Sequence, residues 1–268
     1  MVSPKINIPP KADAAMPRKM LTDQAWEFLK EALRDTGRVY NKYEHRLTLK
    51  GILYRMRTAI QWRDLPEEFG LWNTVFRRFN LWSRKGILEN IFQKLSANND
   101  PEWLFIDGSI VKAHQDSCGA SSGMNEAIGK SIGGNTTKIH LAVDSGGLPV
   151  YFELSCGQVH DVVHAKSLIT HSPHSSVVTA DKGYDSDDFR EHIRQLNSQP
   201  NIPRKGNSKT GNPHMDWCLY KYRHLVENAF MKIKKYRGVA TRYDKLARNY
   251  SSNVTLAFMM MWLPMMVE

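Results

Sequence analysis

The sequence predicts an α/β chain in which a small all-helical region precedes a mixed sheet with flanking helices. Apolar residues recur at helical spacing through residues 21–98, whereas short runs with a period of two begin at Trp103 and predict strands. Residues 1–20 are rich in proline and lysine and lack an apolar core, which predicts a flexible N-terminal arm. The predicted organisation is therefore an arm at 1–20, a helical domain at 21–98 and an α/β domain at 99–268.

The helical region is predicted to contain three amphipathic helices. The first follows Thr22, a residue type that caps helix N-termini, and the second follows Thr48. The third covers the stretch LWNTVFRRFNLWSRKG and ends at Gly86. Cations on the faces opposite the apolar ones predict a DNA-binding domain that contacts phosphates through a helix-turn-helix-like unit, and an ordinary solvated helix face is the alternative. These cations are Arg55, Arg57, Arg77, Arg78, Arg84 and Lys85.

The charge is unevenly distributed along the chain. The 37 Lys and Arg residues outnumber the 27 Asp and Glu residues, which gives a net charge of +10. The basic excess lies in residues 1–100 and 201–250, whereas residues 101–200 are acidic overall. This pattern predicts a polyanionic partner for the basic regions and cation binding by the acidic middle, although a basic surface that serves solubility would have the same composition.

Cysteine usage and hydropathy narrow the class of protein. The three cysteines are scattered without C-x-x-C spacing, which argues against a disulfide framework and a cysteine zinc site and fits a reducing cytoplasm. The apolar run AFMMMWLPMMV at 257–267 contains Pro264 and is too short to span a bilayer. It is predicted to be the last core helix, and no membrane partner is expected.

The elements after Trp103 are predicted to alternate in a recognisable order. WLFIDGSIVKAH is a strand, and TTKIHLAVDSGGLPVYFEL is a hairpin that turns at DSGG. DVVHAKSLI predicts a helix, SSVVTADKGY a fourth strand, SDDFREHIRQLN a helix, QPNIPR a fifth strand, and the stretch 220–243 one long helix. Three strands, helix, strand, helix, strand and helix is the order of the ribonuclease-H-like fold.

Two aspartates follow apolar runs in predicted strands. Asp107 ends Trp-Leu-Phe-Ile in the first strand, and Asp181 ends Val-Val-Thr-Ala in the fourth. Because these strands are neighbours in the ribonuclease-H-like order, the two carboxylates are predicted to lie side by side, where repulsion raises a pKa or recruits a divalent metal. The alternative is that each aspartate only starts a turn.

The predicted long helix carries a third carboxylate among many cations. At about 100° per residue, Tyr220, Arg223, Glu227 and Lys234 fall on one narrow stripe. Glu227 is therefore predicted to complete a metal cluster while the neighbouring cations contact the phosphates on which the metal acts. An ordinary i,i+4 pair between Arg223 and Glu227 on a solvated face is the alternative.

A zinc helix is a further alternative. HDVVH, from His160 to His164, imitates the H-E-x-x-H motif with two histidines around an acid. Aspartate is shorter than the usual glutamate base, and the sequence suggests no third ligand, so His160 and Asp161 are predicted to begin a helix instead.

The whole pattern resembles a DDE transposase of the bacterial insertion-sequence families four and five, and most closely the fifth. The matching stretches are WRDLPEEFGLWNTVFRRFNLWSRKG, IDGSIVKAH, IGKSIGGNTTKIHLAVD, TADKGYDS and the pattern Y-x2-R-x3-E-x6-K formed by Tyr220, Arg223, Glu227 and Lys234. One departure from the family pattern is Lys130, which stands where an arginine is expected.

The resemblance implies a function and a set of ligands. Asp107, Asp181 and Glu227 would bind two Mg²⁺ or Mn²⁺ ions, Arg223 and Lys234 would contact phosphates, and Tyr220 would position DNA or Glu227. The partners would be double-stranded DNA at the element ends and at the target, with a homodimer in the DNA complex and a cytoplasmic, nucleoid-associated location. A catalytically silent DNA-binding protein derived from a transposase is the alternative.

Overall fold

The helices follow the predicted order with more interruptions. The computed structural model describes residues 21–36, 44–119, 126–206 and 208–266, so the predicted arm lies outside the described residues. The helices are α1 (Asp23–Asp35), α2 (Glu44–Thr58), α3 (Trp72–Arg84), α4 (Ile87–Ser96), α5 (Asp161–His171), α6 (Asp187–Gln195), α7 (Trp217–Tyr220), α8 (His224–Lys234), α9 (Arg237–Ala240) and α10 (Ala247–Trp262).

The strands form one mixed sheet. The central strand pairs antiparallel with the first hairpin strand and parallel with the strand that follows α5, which in turn pairs parallel with the strand that follows α6. The strands are β1 (Trp103–Ala113), β2 (Gly129–Ser131), β3 (Gly134–Val143), β4 (Pro149–Cys156), β5 (Val177–Thr179), β6 (Gln199–Asn201) and β7 (Thr241–Arg242). The order β4-β3-β1-β5-β6 confirms the predicted ribonuclease-H-like sheet.

One edge of β1 is partly open, and this opening positions the site. β5 pairs only with Trp103–Phe105, and β7 pairs only with Lys112 and Ala113. β1 therefore continues past Asp107, which lies within the strand and not at its end as its apolar run had suggested. Between these two pairings, no described strand lies beside this edge, and α8 packs against β1.

The helical region begins as predicted. The Thr22 hydroxyl accepts a hydrogen bond from Ala25 N at 3.1 Å, which caps α1. α2 begins at Glu44, earlier than its predicted start after Thr48. Gly86 ends α3 with a φ of 65°, a conformation that favours glycine, and α4 follows immediately.

The helices and the sheet share their core. α10 packs against α3 and α4 and also contacts β4, and the buried apolar residues of both regions form one continuous cluster. Trp262 Nε1 donates to the Pro149 carbonyl at 2.8 Å, which fixes the end of α10 to the sheet. This position confirms the predicted last core helix. In the described parts of the chain, no helix is long and apolar enough to cross a membrane. The division at residue 98 stays a prediction.

One predicted phosphate contact is wrong. Arg55 is buried, with its guanidinium 3.3 Å from the Asp244 carboxylate and 4.6 Å from the centroid of the Trp62 ring. A buried cation needs such a partner because its desolvation is costly. Arg55 therefore joins α2 to the segment before α10 and is not available to DNA.

The predicted single helix over 220–243 is also wrong in its continuity. A 3₁₀ turn at Lys221–Arg223 separates α7 from α8, and near its end the stretch forms β7 beside β1. Tyr222 in this turn stacks its ring 5.9 Å from that of Trp103, a long-range contact that local helix propensity does not include. Arg242, one of the cations in the same stretch, is fully buried and donates to Thr137 Oγ1 at 2.8 Å.

Candidate active site

Asp107 is a half-buried carboxylate at the open edge of β1. Its side chain is 21% exposed, and its Oδ1 accepts a hydrogen bond from Gly108 N at 2.8 Å. Burial raises the pKa of Asp107 to about 6; the Gly108 N–H and Arg223 oppose this rise, whereas the charges of Asp181 and Asp161 add to it. A carboxylate that is costly to ionise and lies near other carboxylates is typical of a cation-binding site.

Asp181 reaches the same end of the sheet from β5. It caps the 3₁₀ turn Lys182–Tyr184, and its Oδ1 accepts from Gly183 N at 2.8 Å. A Cβ at Gly183 would lie 2.8 Å from that oxygen, so glycine allows the turn to close around the carboxylate. β1 and β5 are adjacent and parallel, and the charge of Asp181, two residues after β5, helps to raise the pKa of Asp107, so the two carboxylates lie near each other as the strand order predicts.

Glu227 comes from α8 and meets Asp107 through Arg223. Arg223 Nη1 donates to Asp107 Oδ2 at 3.1 Å, and its Nη2 donates to Glu227 Oε1. Burial disfavours the charge of Arg223, yet the Asp107 and Glu227 carboxylates raise its pKa above the usual value. The i,i+4 pair considered from the sequence is therefore present, and the same guanidinium also reaches the strand carboxylate.

Lys234 and Tyr220 are the other two residues of the predicted stripe. Lys234 Nζ donates to Ser109 Oγ at 2.6 Å and to the Ile110 carbonyl at 3.2 Å, so its ammonium group is bound to the open edge of β1. Burial lowers the pKa of Lys234. Tyr220 is half-buried at the end of α7, and its phenol contributes to the raised pKa of Arg223. A groove of 480 Å³ runs past Asp107, Glu227 and Lys234.

The residues present suit a hard cation by their chemistry. Carboxylate oxygens are the ligands that Mg²⁺ and Mn²⁺ prefer. The Tyr184 hydroxyl is buried without a hydrogen-bond partner among the described residues, and the charges of Asp161, Asp107 and Asp181 contribute to raising its pKa. The guanidinium of Arg223 now holds Asp107 and Glu227 together, and no three acids, histidines or cysteines of the described chain are arranged as a closed set of metal ligands.

Asp161 is a residue that sequence reasoning placed only at the start of a helix. It does begin α5, but its Oδ1 also lies where a Cβ on Gly108 would be, at 2.1 Å. The same oxygen is 3.1 Å from Lys138 Nζ and 3.5 Å from His140 Nδ1. The signal available in the sequence was Gly108 directly after Asp107, since a glycine inside a strand indicates a close approach.

The zinc alternative has no support from the histidines. His160 is exposed at the N-terminus of α5, whereas His164 Nδ1 lies 2.8 Å from Glu153 Oε2 and its ring stacks on His140 at 4.5 Å. Within the described ranges, no third ligand joins His160 and His164. Burial lowers the pKa of His140 to about 3, assisted by His164 and Lys138, so this histidine stays neutral.

Arg77 and Arg78 lie apart from the carboxylates. Both are on α3, which packs against α2, α4 and α10, and Arg77 is exposed whereas Arg78 is half-buried. Their contact with DNA stays a prediction.

The sheet order and the carboxylates on its adjacent strands define a protein of the ribonuclease-H-like class. The model of the family described as "Transposase DDE domain" matches residues 98–262, and that described as "Putative transposase of IS4/5 family" matches residues 21–92. The chain therefore belongs to the DDE transposase family, as its motifs predicted.

Individual relatives agree with this assignment. The chain is 37% identical over 129 residues to a protein of Brucella ovis named "Putative transposase for insertion sequence element IS6501", covering 48% of this chain and 98% of the relative. It is 29% identical to the transposase for insertion sequence element IS1106 of Neisseria meningitidis serogroup B, covering 41% of this chain and 40% of that one. A solved piggyBac transposase synaptic complex with hairpin DNA aligns with a TM-score of 0.40 and 12% identity, over 70% of this chain and half of that one.

Proposed function

We propose that the chain binds the ends of its insertion sequence as double-stranded DNA and cleaves and transfers strands at Asp107, Asp181 and Glu227. The observation that carries this proposal is the convergence of Asp107 and Glu227 on one guanidinium, at the end of the sheet where Asp181 follows β5. The three carboxylates would hold two Mg²⁺ or Mn²⁺ ions. Bound ions would supply Lewis acidity that lowers the pKa of water and stabilises the leaving oxygen.

The cations of the site have separate roles in this proposal. Arg223 neutralises Asp107 and Glu227 in the free protein and turns toward a DNA phosphate when the carboxylates take up their ions. Lys234 is held at the edge of β1 by Ser109 and Ile110, from where it contacts a phosphate next to the cut. Tyr220 packs beside Trp217, with ring centroids 5.7 Å apart, and positions DNA at the entrance.

Water is the proposed first nucleophile, and the freed 3′-hydroxyl is the second. The Ser109 hydroxyl is an alternative nucleophile, because Lys234 Nζ lies 2.6 Å from its Oγ and a serine can be activated by a neighbouring lysine. Ser109→Ala therefore separates the two chemistries. Retained cleavage supports water, and complete loss with DNA binding intact supports a serine.

The test uses the purified protein and a labelled duplex that carries the DNA flanking its gene. We expect strand cleavage with Mg²⁺ or Mn²⁺, and binding without cleavage when Ca²⁺ replaces them. Asp107→Asn and Glu227→Gln should abolish cleavage and keep binding, whereas Asp188→Asn changes an exposed acid paired with Lys166 and should leave both intact. Binding without cleavage by the unmodified protein under every metal would favour the catalytically silent alternative.

A homodimer in the DNA complex follows from the same proposal, since two element ends must be cut and joined together. Sedimentation of the protein with and without the end duplex tests it. A complex containing one chain and one end, still competent for strand transfer, would contradict the dimer.

A further inference from the structure

A second groove lies beside the candidate active site, across β1 from Lys234. It measures 670 Å³ and is formed by the exposed part of β1, the β2–β3 hairpin and the segment after β4. Ser109 lines the active-site groove and the next residue, Ile110, lines this one, so the two grooves open on opposite faces of the same strand. The side chains that define its character are Ile110, Lys112, Lys130, Ile132 and Gln158.

The tip of the β2–β3 hairpin is unusual for a turn. Ile132 and Gly133 connect the two strands, and Ser131 Oγ accepts from Gly133 N at 3.2 Å. Tight turns favour Gly, Asn and Asp, yet Ile132 is fully exposed at this tip and makes no contribution to the core. Ile110 is 46% exposed on the adjacent strand, so the exposed apolar surface is a pair and not one isolated side chain.

The charge of the groove indicates which kind of molecule it binds. Lys112 and Lys130 are exposed at its rim, and no described residue that lines it is acidic. Apolar side chains flanked by lysines suit a nucleic acid strand, because phosphates pair with the cations while bases contact the apolar surface. Both grooves reach the open edge of β1, at Ser109 and Ile110, so a strand that passes around this edge joins the groove to the carboxylates.

We infer that this groove binds the DNA strand next to the cleaved phosphate, with Ile132 inserted as an apolar wedge that unstacks a terminal base. The inference rests on the proposed function, since it names where the same DNA continues. Gln158 supports the shape of the groove, because its side-chain amide lies against Gly129, where a Cβ would be 2.0 Å from its Oε1.

The test measures base stacking and not cleavage. End duplexes carry 2-aminopurine at each of the terminal positions, and fluorescence is measured with the full chain in Ca²⁺. We expect a several-fold rise in fluorescence at one or two positions with the unmodified protein, most of which is lost in Ile132→Ser and in Ile110→Ser. Val163→Ser is the matched control, because Val163 is 65% exposed on α5 and does not line the groove.

The role of the two lysines is tested by the salt dependence of DNA binding. Lys112→Ala with Lys130→Ala should weaken binding and reduce the slope of log Kd against log salt by about 2, since each phosphate contact contributes about 0.9. The inference is overturned if the unmodified protein binds the end duplex without any rise in fluorescence, or if the isoleucine and lysine variants behave like Val163→Ser. It is also overturned if these variants change self-association alone. Failure of the unmodified protein to bind any end duplex would instead remove the proposed function.

Discussion

Asp107→Asn should stabilise the metal-free protein while abolishing cleavage. Burial raises the pKa of Asp107 from 3.8 to about 6, which means that its ionised form is disfavoured in the folded state. At about 1.36 kcal/mol per unit, the cost of ionisation is about 3 kcal/mol. The raised pKa already includes the opposing attraction of Arg223, so that contact needs no separate subtraction. The free energy of unfolding should therefore rise by up to about 3 kcal/mol at neutral pH.

The effect depends on pH with a definite sign. A carboxyl with a raised folded pKa contributes stability that is fully present below its unfolded value of 3.8 and is lost as the pH rises through about 6. The advantage of asparagine should therefore be complete at neutral pH and fade as the pH falls toward 4. Urea unfolding of both proteins at several pH values, in the presence of a chelator, measures it.

Divalent metal should reverse the order of stability. Mg²⁺ binds the folded state of the unmodified protein and raises its stability, whereas Asp107→Asn should gain less. Two results would refute the reasoning: a variant that is less stable than the unmodified protein at pH 7.5 without metal, or a difference that is the same at pH 4 and pH 7.5.

Four further substitutions have outcomes that follow from the structure. Asp181→Asn should abolish cleavage and keep DNA binding, measured by gel assay and fluorescence anisotropy. Arg77→Ala should lower DNA affinity without changing the melting temperature, whereas Arg55→Ala should destabilise the fold by about 3–5 kcal/mol, since it leaves the buried Asp244 carboxylate without its cation. Asp144→Ala should cost about 2–4 kcal/mol in urea unfolding, because its carboxylate accepts from the backbone N–H of Asp100, Gly146 and Leu148; an unchanged stability would contradict this.

Asp144 shows where sequence reasoning misjudges an acid. An aspartate in a turn such as DSGG is typical of a carboxylate that serves only the turn itself. The structure buries it to 3% exposure and uses both oxygens to join the β3–β4 turn to Asp100 before β1. A turn position alone does not reveal whether another segment packs over it.

Local pattern determined the elements and their order for this protein. Period-two alternation marked β1, β3 and β4, Thr22 and Gly86 marked helix ends, and the order of strands and helices specified which strands are adjacent. Because adjacency follows from that order, the proximity of Asp107 and Asp181 was predictable without coordinates.

The tertiary structure alone decided what each charged side chain contacts. The sequence places Arg55, Arg223 and Arg242 in similar basic stretches. In the structure, Arg55 is buried against Asp244, Arg223 joins Asp107 to Glu227, and Arg242 is fully buried in β7 beside Thr137. Their partners are far apart in the chain, so no local period encodes the pairing. Burial and charge pairing are set by segments that meet only after folding. For that reason the break before α8, the identity of Asp161 as the residue that approaches Gly108, and the groove beside Ile132 were visible only in three dimensions.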